Sequence, residues 1–256
     1  MRPGIVAAMK PRPFPPALPH GALREVFPDV FFVTGTIGLP GPMPVRFSRN
    51  MTVVRQGDRL VIVNSVRLDE RGLAALEALG KPTDVLRIAG FHGADDAFYK
   101  DRYGAKVWAL EGQRYTSGFS QDGEPYFEPD AWVDAETTVP LADARLYLFD
   151  TKPGEALLLL EREGGIVVAG DALQNWSAPD EFFSLLAKPM MRLMGFIKAH
   201  NVGPGWLKQA KPAAAKLRGV LDLTFEHVLP AHGAPVVGGA KDAYRPAIER
   251  AASAAG

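Results

Sequence analysis

The sequence contains no cysteine among its 256 residues. This absence excludes disulfide bonds, thiolate zinc sites and a cysteine nucleophile. The sequence also lacks an excess of either charge, since 29 lysines and arginines balance 29 aspartates and glutamates. A general nucleic-acid binder needs clustered positive charge to neutralise phosphates, so we expect no nucleic-acid partner.

Long hydrophobic runs are missing as well. No stretch approaches the roughly eighteen consecutive apolar residues that a membrane-spanning helix needs. Residues 1–10 have no extended apolar core and lead into a proline-rich stretch, which is not typical of a secretory signal. Hydrophobic residues make up 47% of the chain and charged residues 23%, as in ordinary globular proteins. We therefore expect a globular, cytoplasmic protein.

Proline divides the chain into two parts. Ten of the 22 prolines precede residue 45, so residues 1–44 are predicted to form an extended arm that contains a first strand at 30–34. Residues 45–256 are predicted to form the main domain. At its start, β-branched runs at 51–55 and 59–63 flank a glycine turn, which is typical of a β-hairpin.

Beyond the hairpin, helix and strand patterns alternate. The first helix is predicted at 69–79, with Asp69 as its N-cap and Gly80 at its end. Further helices are predicted near 95–102, 179–199, 206–221 and 241–252. Strands are predicted at 84–89, 106–109, 145–150, 155–161 and 165–169, with a short one that ends at 229. This order of elements predicts an α/β layered fold.

Three of these strands end in short loops that carry polar side chains. Residues 90–96 follow the first of them and include His92, Asp95 and Asp96. Asp171 follows the second, and His232 follows the third. Folds of the α/β class place their sites at such strand ends, so we expect the three loops to meet on one rim. Imidazole and carboxylate groups bind metal ions, which makes this rim a candidate metal site.

On these motifs the chain resembles the metallo-β-lactamase fold superfamily over roughly residues 29–252. The resemblance rests on the hairpin 51–63, the loop around His92, the pair Gly170-Asp171 and the segment 230–233. It implies a four-layer αββα sandwich, and in most members of the superfamily the function is metal-dependent hydrolysis.

The first ligand motif of the superfamily, His-x-His-x-Asp-His, is incomplete in this chain. If His92 is its first histidine, Asp96 falls on the motif aspartate, while alanines 94 and 97 replace histidines. If His92 is its second histidine, glycine replaces the first, Ala94 replaces the aspartate and Asp95 replaces the last histidine. Both alignments leave this motif short of ligands.

The later ligand motifs of the superfamily are also only partly present. Asp171 and His232 match the last two ligand positions of the superfamily, whereas no histidine lies at 150–154, where the middle motif belongs. A dinuclear site needs more imidazoles and carboxylates than these loops supply. The resemblance therefore implies a ligand-poor branch with a degenerate site.

Two functions follow from this resemblance. In the first, His92, Asp96, Asp171 and His232 hold one zinc, iron or manganese ion, and Asp95 or Asp96 serves as general base if it is not a ligand. The substrate is then a small-molecule ester, lactone, amide or phosphoester. In the alternative, a catalytically silent protein of the same fold binds a ligand or a protein without metal, and Lys152 occupies the space that a metal fills in relatives.

Residues 182–218 combine apolar and basic side chains. Seven basic residues and no acidic residue fall within 188–218, and phenylalanines, leucines and methionines cluster at 182–197. One interpretation is a pair of amphipathic helices that pack on the sandwich. The other is a flexible lid for an acidic amphiphilic ligand, or a contact with an anionic membrane surface.

Overall fold

The computed structural model describes residues 14–39, 45–116, 123–134 and 136–256. Within these ranges two β-sheets face each other, and helices cover the outer face of each sheet. The predicted α/β class and the αββα sandwich are confirmed. None of the described helices is long and apolar enough to cross a membrane.

The first sheet contains seven strands within the described ranges, in the order in which they occur along the chain. These are β1 (Arg24–Phe27), β2 (Val30–Gly38), β3 (Arg46–Gln56), β4 (Arg59–Val63), β5 (Lys81–Arg87), β6 (Lys106–Leu110) and β7 (Ala131–Val133). Strands β1 to β4 pair antiparallel, and β4 to β7 pair parallel. The predicted hairpin is confirmed as β3 and β4, joined at Gly57 with φ of 64°.

Two helices cover the outer face of the first sheet: α1 (Glu70–Glu77) and α2 (Asp96–Tyr103). The predicted N-cap is confirmed, because the Asp69 carboxylate accepts a hydrogen bond of 2.8 Å from the amide of Gly72. Helix α2 ends at Gly104, whose φ of 66° only glycine adopts without strain. Leu73 and Leu76 of α1 pack with Phe98 of α2 on the buried side chains of the sheet.

The second sheet contains four strands within the described ranges, and a two-stranded ribbon lies beside it. The strands along the chain are β8 (Ala144–Leu148), β9 (Ala156–Leu160), β10 (Ile166–Ala169), the ribbon strands β11 (Leu173–Gln174) and β12 (Asn201–Val202), and β13 (His227–Pro230). The spatial order of the sheet is β13-β10-β9-β8, and only β10 and β13 are parallel.

Helices also cover the outer face of the second sheet. The helices in this half are α3 (Ala187–Leu193), α4 (Pro204–Ala210), α5 (Ala214–Gly219) with a 3₁₀ turn at Val220–Asp222, and α6 (Ala240–Ala254). Strand β9 is buried on both faces, and its leucines alternate between them. Leu158 and Leu160 point into the space between the sheets, whereas Leu157 and Leu159 pack against the helical layer.

Two predicted helices differ from the structure. The helix predicted at 179–199 is confined to α3, because the ring of Pro189 prevents a longer N-terminal extension and Gly195, with φ of 78°, follows its end. The helix predicted at 206–221 is split into α4 and α5. Lys211 adopts a left-handed conformation and Pro212 cannot continue the helix.

The predicted N-terminal arm is described only in part, since residues 1–13 and 40–44 lie outside the described residues. Strands β1 and β2 belong to the first sheet, and β2 pairs with β3 from Val30↔Val54 to Gly38↔Arg46. The predicted strand at 30–34 is thus confirmed as part of β2, and the division at residue 44 stays a prediction.

One side chain links the two sheets at the rim. Asn50 of β3 donates hydrogen bonds from its amide group to the carbonyls of Pro230 and Gly233, at 2.8 and 2.7 Å. Its backbone amide donates to the carbonyl of Ala231 at 2.8 Å. The loop that carries His232 is therefore held to the first sheet by a strand that is distant in sequence.

We expect Asn50→Ala to lower the free energy of unfolding by about 1–3 kcal/mol, because one buried and one partly buried carbonyl lose their donor. Urea denaturation monitored by circular dichroism measures this change. Arg46→Ala on the same strand is the matched control, since Arg46 is exposed and such substitutions change stability by about 0.5 kcal/mol or less. Equal midpoints for the two variants would contradict the assigned link.

Candidate metal centre and its cavity

The three predicted loops meet on one rim of the sandwich. Strands β10 and β13 are parallel neighbours, so the loops that follow them leave the sheet side by side, and the amide of Ala231 donates to the carbonyl of Ala169 at 2.8 Å. The loop after β5 approaches from the first sheet. A Cβ atom on Gly170 would lie 2.2 Å from the Cβ of Ala89, so only glycine permits this approach.

His92, Asp171 and His232 form a compact group at this point. Nε2 of His92 lies 3.4 Å from Oδ2 of Asp171, and Nε2 of His232 lies 3.2 Å from Oδ1 of the same carboxylate. The two imidazole rings are 5.1 Å apart between centroids, and one ligand atom of each residue lies within 4.8 Å of the others. The structure therefore brings together three of the four predicted ligands.

The backbone fixes the orientation of the His232 ring. Nδ1 of His232 lies 3.0 Å from the carbonyl oxygen of Ser48, which only accepts, so Nδ1 donates this hydrogen bond. Nε2 of the same ring then faces the Asp171 carboxylate. It is therefore the nitrogen of His232 that could share a metal ion with Asp171.

Burial and neighbouring groups shift the pKa values of His92 and Asp171. Burial lowers the pKa of His92 more than the neighbouring Asp171 raises it, which favours the neutral imidazole. Burial alone would raise the pKa of Asp171, but His92 and His232 outweigh it and hold the pKa of this carboxyl far below its usual range. The group thus offers two imidazole nitrogens and one carboxylate.

These donors fit one zinc-like ion. Atoms about 2.0–2.1 Å from a tetrahedral ion are about 3.3 Å from one another, and one ligand atom from each of these three residues lies within 4.8 Å of the other two. Within the described residues, Oδ2 of Asp171 and Nδ1 of His92 are buried without a hydrogen-bond partner. These three residues would hold a tetrahedral ion through three donors, and such an ion would have a position left for water or substrate.

A cavity of about 330 Å³ opens beside the three side chains. Its walls are mainly apolar and come from β2, β3, the loop after β5 and the segment 171–209. The lining residues are Ile37, Leu39, Phe47, Arg49, Phe91, His92, Asp171, Gln174, Trp176, Met190, Met191, Met194, Phe196, Gly205, Trp206, Lys208, Gln209 and His232. A cavity of this size and composition suits a small organic ligand.

Asp95 and Asp96, predicted as catalytic residues, lie away from this group. Asp96 is fully buried, and its two oxygens accept hydrogen bonds from the hydroxyls of Ser65 at 2.5 Å and Tyr115 at 2.6 Å. Burial raises the pKa of Asp96 despite these bonds. The Asp95 carboxylate pairs with Arg49 and accepts from the amide of Arg67. Neither residue belongs to the group of His92, Asp171 and His232, and both carboxylates are engaged by other protein groups.

Lys152 does not fill the place of a metal. Its side chain is exposed, and it is not among the residues that line the cavity. The buried cation on the cavity wall is Arg49, which is 5% exposed, whereas Lys208 on the same wall is exposed. The sequence did not reveal Arg49 because this residue lies within a strand. The alternation of side chains along a strand indicates that Arg49 lies on the opposite face of the sheet from Ser48 and Asn50, but it does not indicate a role in a site.

Glu155 is a second residue that the sequence did not reveal. Its carboxylate accepts from the amide of Gly90 at 3.2 Å and from the amide of Ala172 at 3.0 Å, so it joins the His92 loop to the Asp171 loop. Burial, reinforced by the charge of Asp171, raises the pKa of Glu155 well above its usual value. A lone acid next to the apolar run 156–160 is the signal that was available in the sequence.

The segment 182–218 contributes both to the cavity and to the outer surface. Met190, Met191 and Met194 line the cavity, while Leu185 and Leu193 are 85% and 91% exposed. The predicted packing of this segment on the sandwich therefore holds for only part of its apolar side chains.

Comparison with known proteins identifies the fold. No protein-family model matches the sequence, and no functionally described protein matches it significantly. Among solved structures, the chain is similar to DIM-1 metallo-β-lactamase, with a TM-score of 0.61 and 13% identity over 92% of this chain and 99% of that one. FIM-1 from Pseudomonas aeruginosa in its mono-zinc form gives 0.60 and 13% over 94% and 99%. A metallo-β-lactamase from Erythrobacter litoralis gives 0.54 and 17% over 91% of each chain.

These similarities show that the chain has the metallo-β-lactamase fold, as the motifs predicted. At this level of identity they establish the architecture alone. What the chain does must be argued from its own side chains.

We expect Glu155→Ala to destabilise the protein by about 1–3 kcal/mol for each of the two buried amides that lose their acceptor. Glu155→Gln keeps one acceptor oxygen and removes the repulsion from Asp171, so its loss should be smaller. Urea denaturation measures both, with the exposed Glu161→Ala as control. If Glu155→Ala unfolds at the same urea concentration as Glu161→Ala, Glu155 does not join the two loops.

Proposed function

We propose that this chain is a metal-dependent hydrolase with one divalent ion, held by His92, Asp171 and His232. The observation that carries the proposal is the buried group of two imidazoles and one carboxylate at the floor of an open, mostly apolar cavity. Zinc suits this donor set best, since neutral imidazoles and one carboxylate are its common catalytic ligands, and iron or manganese are the other candidates.

A bound ion would supply Lewis acidity, which polarises a carbonyl or phosphoryl oxygen and makes water nucleophilic near neutral pH. Other residues of the protein would then hold the ligand side chains in place. The Ser48 carbonyl fixes the ring of His232, and Glu155 fixes the loops of His92 and Asp171. In this proposal Asp95 positions Arg49, and Asp96 positions the helix that follows it.

The cavity limits which substrates suit the site. Its walls carry methionine, phenylalanine and tryptophan side chains, so a substrate with an apolar body gains from burial there. A small-molecule ester, lactone, amide or phosphoester whose reacting group reaches the floor meets these conditions. The apolar walls also exclude bulk water, which strengthens electrostatic interactions at the floor.

We expect the protein, purified without chelator, to contain about one equivalent of zinc, iron or manganese per chain. Elemental analysis measures the metal directly. His92→Ala, Asp171→Asn and His232→Ala should each lower the metal content at least about tenfold. Added zinc should raise the melting temperature of the unsubstituted protein, since an ion that binds only the folded state stabilises it, and should not do so in these variants.

His200→Asn is the matched control for the histidine variants. His200 lies outside the group, and its φ of 47° is one that asparagine tolerates. Its metal content, and its hydrolysis of a panel of esters, lactones, amides and phosphodiesters, should equal those of the unsubstituted protein. Background metal in every variant, with no thermal shift on adding zinc, would contradict the proposal and favour the catalytically silent alternative.

We also propose that the segment 182–198 contacts an anionic membrane surface. The exposed Leu185 and Leu193 flank two basic residues, Lys188 and Arg192, and such a combination favours anionic lipid interfaces. The same segment lines the cavity, so a lipid-like substrate would enter from the membrane side.

Vesicle co-sedimentation tests this contact. We expect binding to phosphatidylcholine vesicles that contain phosphatidylserine, weaker binding to pure phosphatidylcholine, and loss of binding in the Leu185→Ser/Leu193→Ser double variant. Val237→Ser, which removes another exposed apolar side chain, is the control. Binding that is absent, or equal in all variants, would contradict a membrane contact, and self-association of the unsubstituted protein in solution would assign the patch to a second copy.

A further inference from the structure

Arg49 is a buried cation on the wall of the substrate cavity. It lies on β3 two residues after Phe47, so strand alternation places both side chains on the face that lines the cavity. The Arg49 side chain is 6% exposed and forms an ion pair with Asp95 through Nη2. A charge is seldom buried unless it is paired, and Asp95 supplies a partner on one side of the guanidinium group.

Most of the hydrogen-bonding capacity of Arg49 is unused. Within the described residues, its Nε and Nη1 atoms are buried without a hydrogen-bond partner. A guanidinium group presents its N–H donors as a planar fork, which fits two oxygens of a carboxylate or phosphate at once. The free side of Arg49 therefore matches an oxyanion better than a neutral group.

The remainder of the cavity is unlike the Arg49 wall. Apolar side chains form most of it, among them Ile37, Leu39, Met194 and Phe196. Lys208 is the other cation on the wall, and it is exposed. A ligand that matches both the Arg49 guanidinium and the apolar walls has an oxyanion at one end and a hydrocarbon body.

We propose that Arg49 binds the carboxylate or phosphate group of an amphiphilic anion whose apolar chain fills this cavity. The inference deepens the proposed function, because it names the substrate class of the same site. It assigns Arg49 to recognition of the ligand, and Asp95 to the positioning of Arg49.

Equilibrium binding to metal-free protein tests the inference, with octanoate, octyl phosphate and octanol as probes. Trp176 and Trp206 line the cavity, so their fluorescence reports occupancy. We expect octanoate or octyl phosphate to bind at least about tenfold more tightly than octanol, and the tighter of the two identifies the oxyanion. Metal-free protein is used because a bound ion would itself attract both anions.

The variant is designed so that the fold survives. Arg49→Gln alone leaves the Asp95 carboxylate buried without its partner, which destabilises proteins. The double variant Arg49→Gln/Asp95→Asn removes both charges, and its circular dichroism spectrum verifies folding. It should bind octanol as the unsubstituted protein does and lose the preference for the anions, whereas Arg46→Gln on the same strand should keep that preference.

Two results would overturn the inference. One is the absence of any preference for the anions over octanol. The other is a preference that persists in the double variant and disappears in Lys208→Gln, which would assign anion recognition to the rim of the cavity. Failure of the hydrolase proposal gives a different pattern, because metal content and thermal shift on zinc are measured separately and binding to Arg49 requires no ion.

Discussion

The carboxylate of Asp171 lies between two imidazoles, 3.4 Å from His92 and 3.2 Å from His232. The three side chains come from three loops and from both sheets, so this arrangement depends on contacts that fix the loops to one another. Glu155 ties two of the loops together, and Asn50 ties the third to the first sheet. The order of the donors is thus built into the protein's own hydrogen bonds, a form of preorganisation that lowers the cost of binding an ion.

Asp96, which one alignment to the superfamily motif places at a ligand position, has other partners in the structure. Asp96 turns to the hydroxyls of Ser65 and Tyr115, and the guanidinium of Arg87 donates to the carbonyl of Gly90 at 2.5 Å and lies over the ring of Tyr115. These bonds hold the His92 loop in place through side chains of the protein. Asp96 is thereby engaged within the protein, and Arg49 is the buried cation on the adjoining cavity wall.

Local signals in the sequence predicted the elements and the α/β class, and the superfamily resemblance supplied the four-layer sandwich. The glycine turn at Gly57, the cap at Asp69 and the buried run 156–160 each specify an element through short-range chemistry, and the strand order then brings the loops to one rim. The roles of Arg49 and Glu155 were missed because they depend on contacts with residues 46 and 17 positions away. Proline limits the start of α3 at Pro189 and prevents α4 from continuing at Pro212, and apolar periodicity does not register a missing amide.

The cavity separates two kinds of recognition. Its floor is built from strand ends held by buried hydrogen bonds, and such groups tolerate little displacement. Its opposite wall is built from Met190, Met191 and Met194, whose unbranched side chains adapt to ligands of different shape. If the proposed substrate binds here, substitutions in that wall would change which apolar body is accepted without moving His92, Asp171 or His232. A fixed polar floor and an adaptable wall would then favour selection by the reacting group and its charge over selection by the outline of the whole ligand.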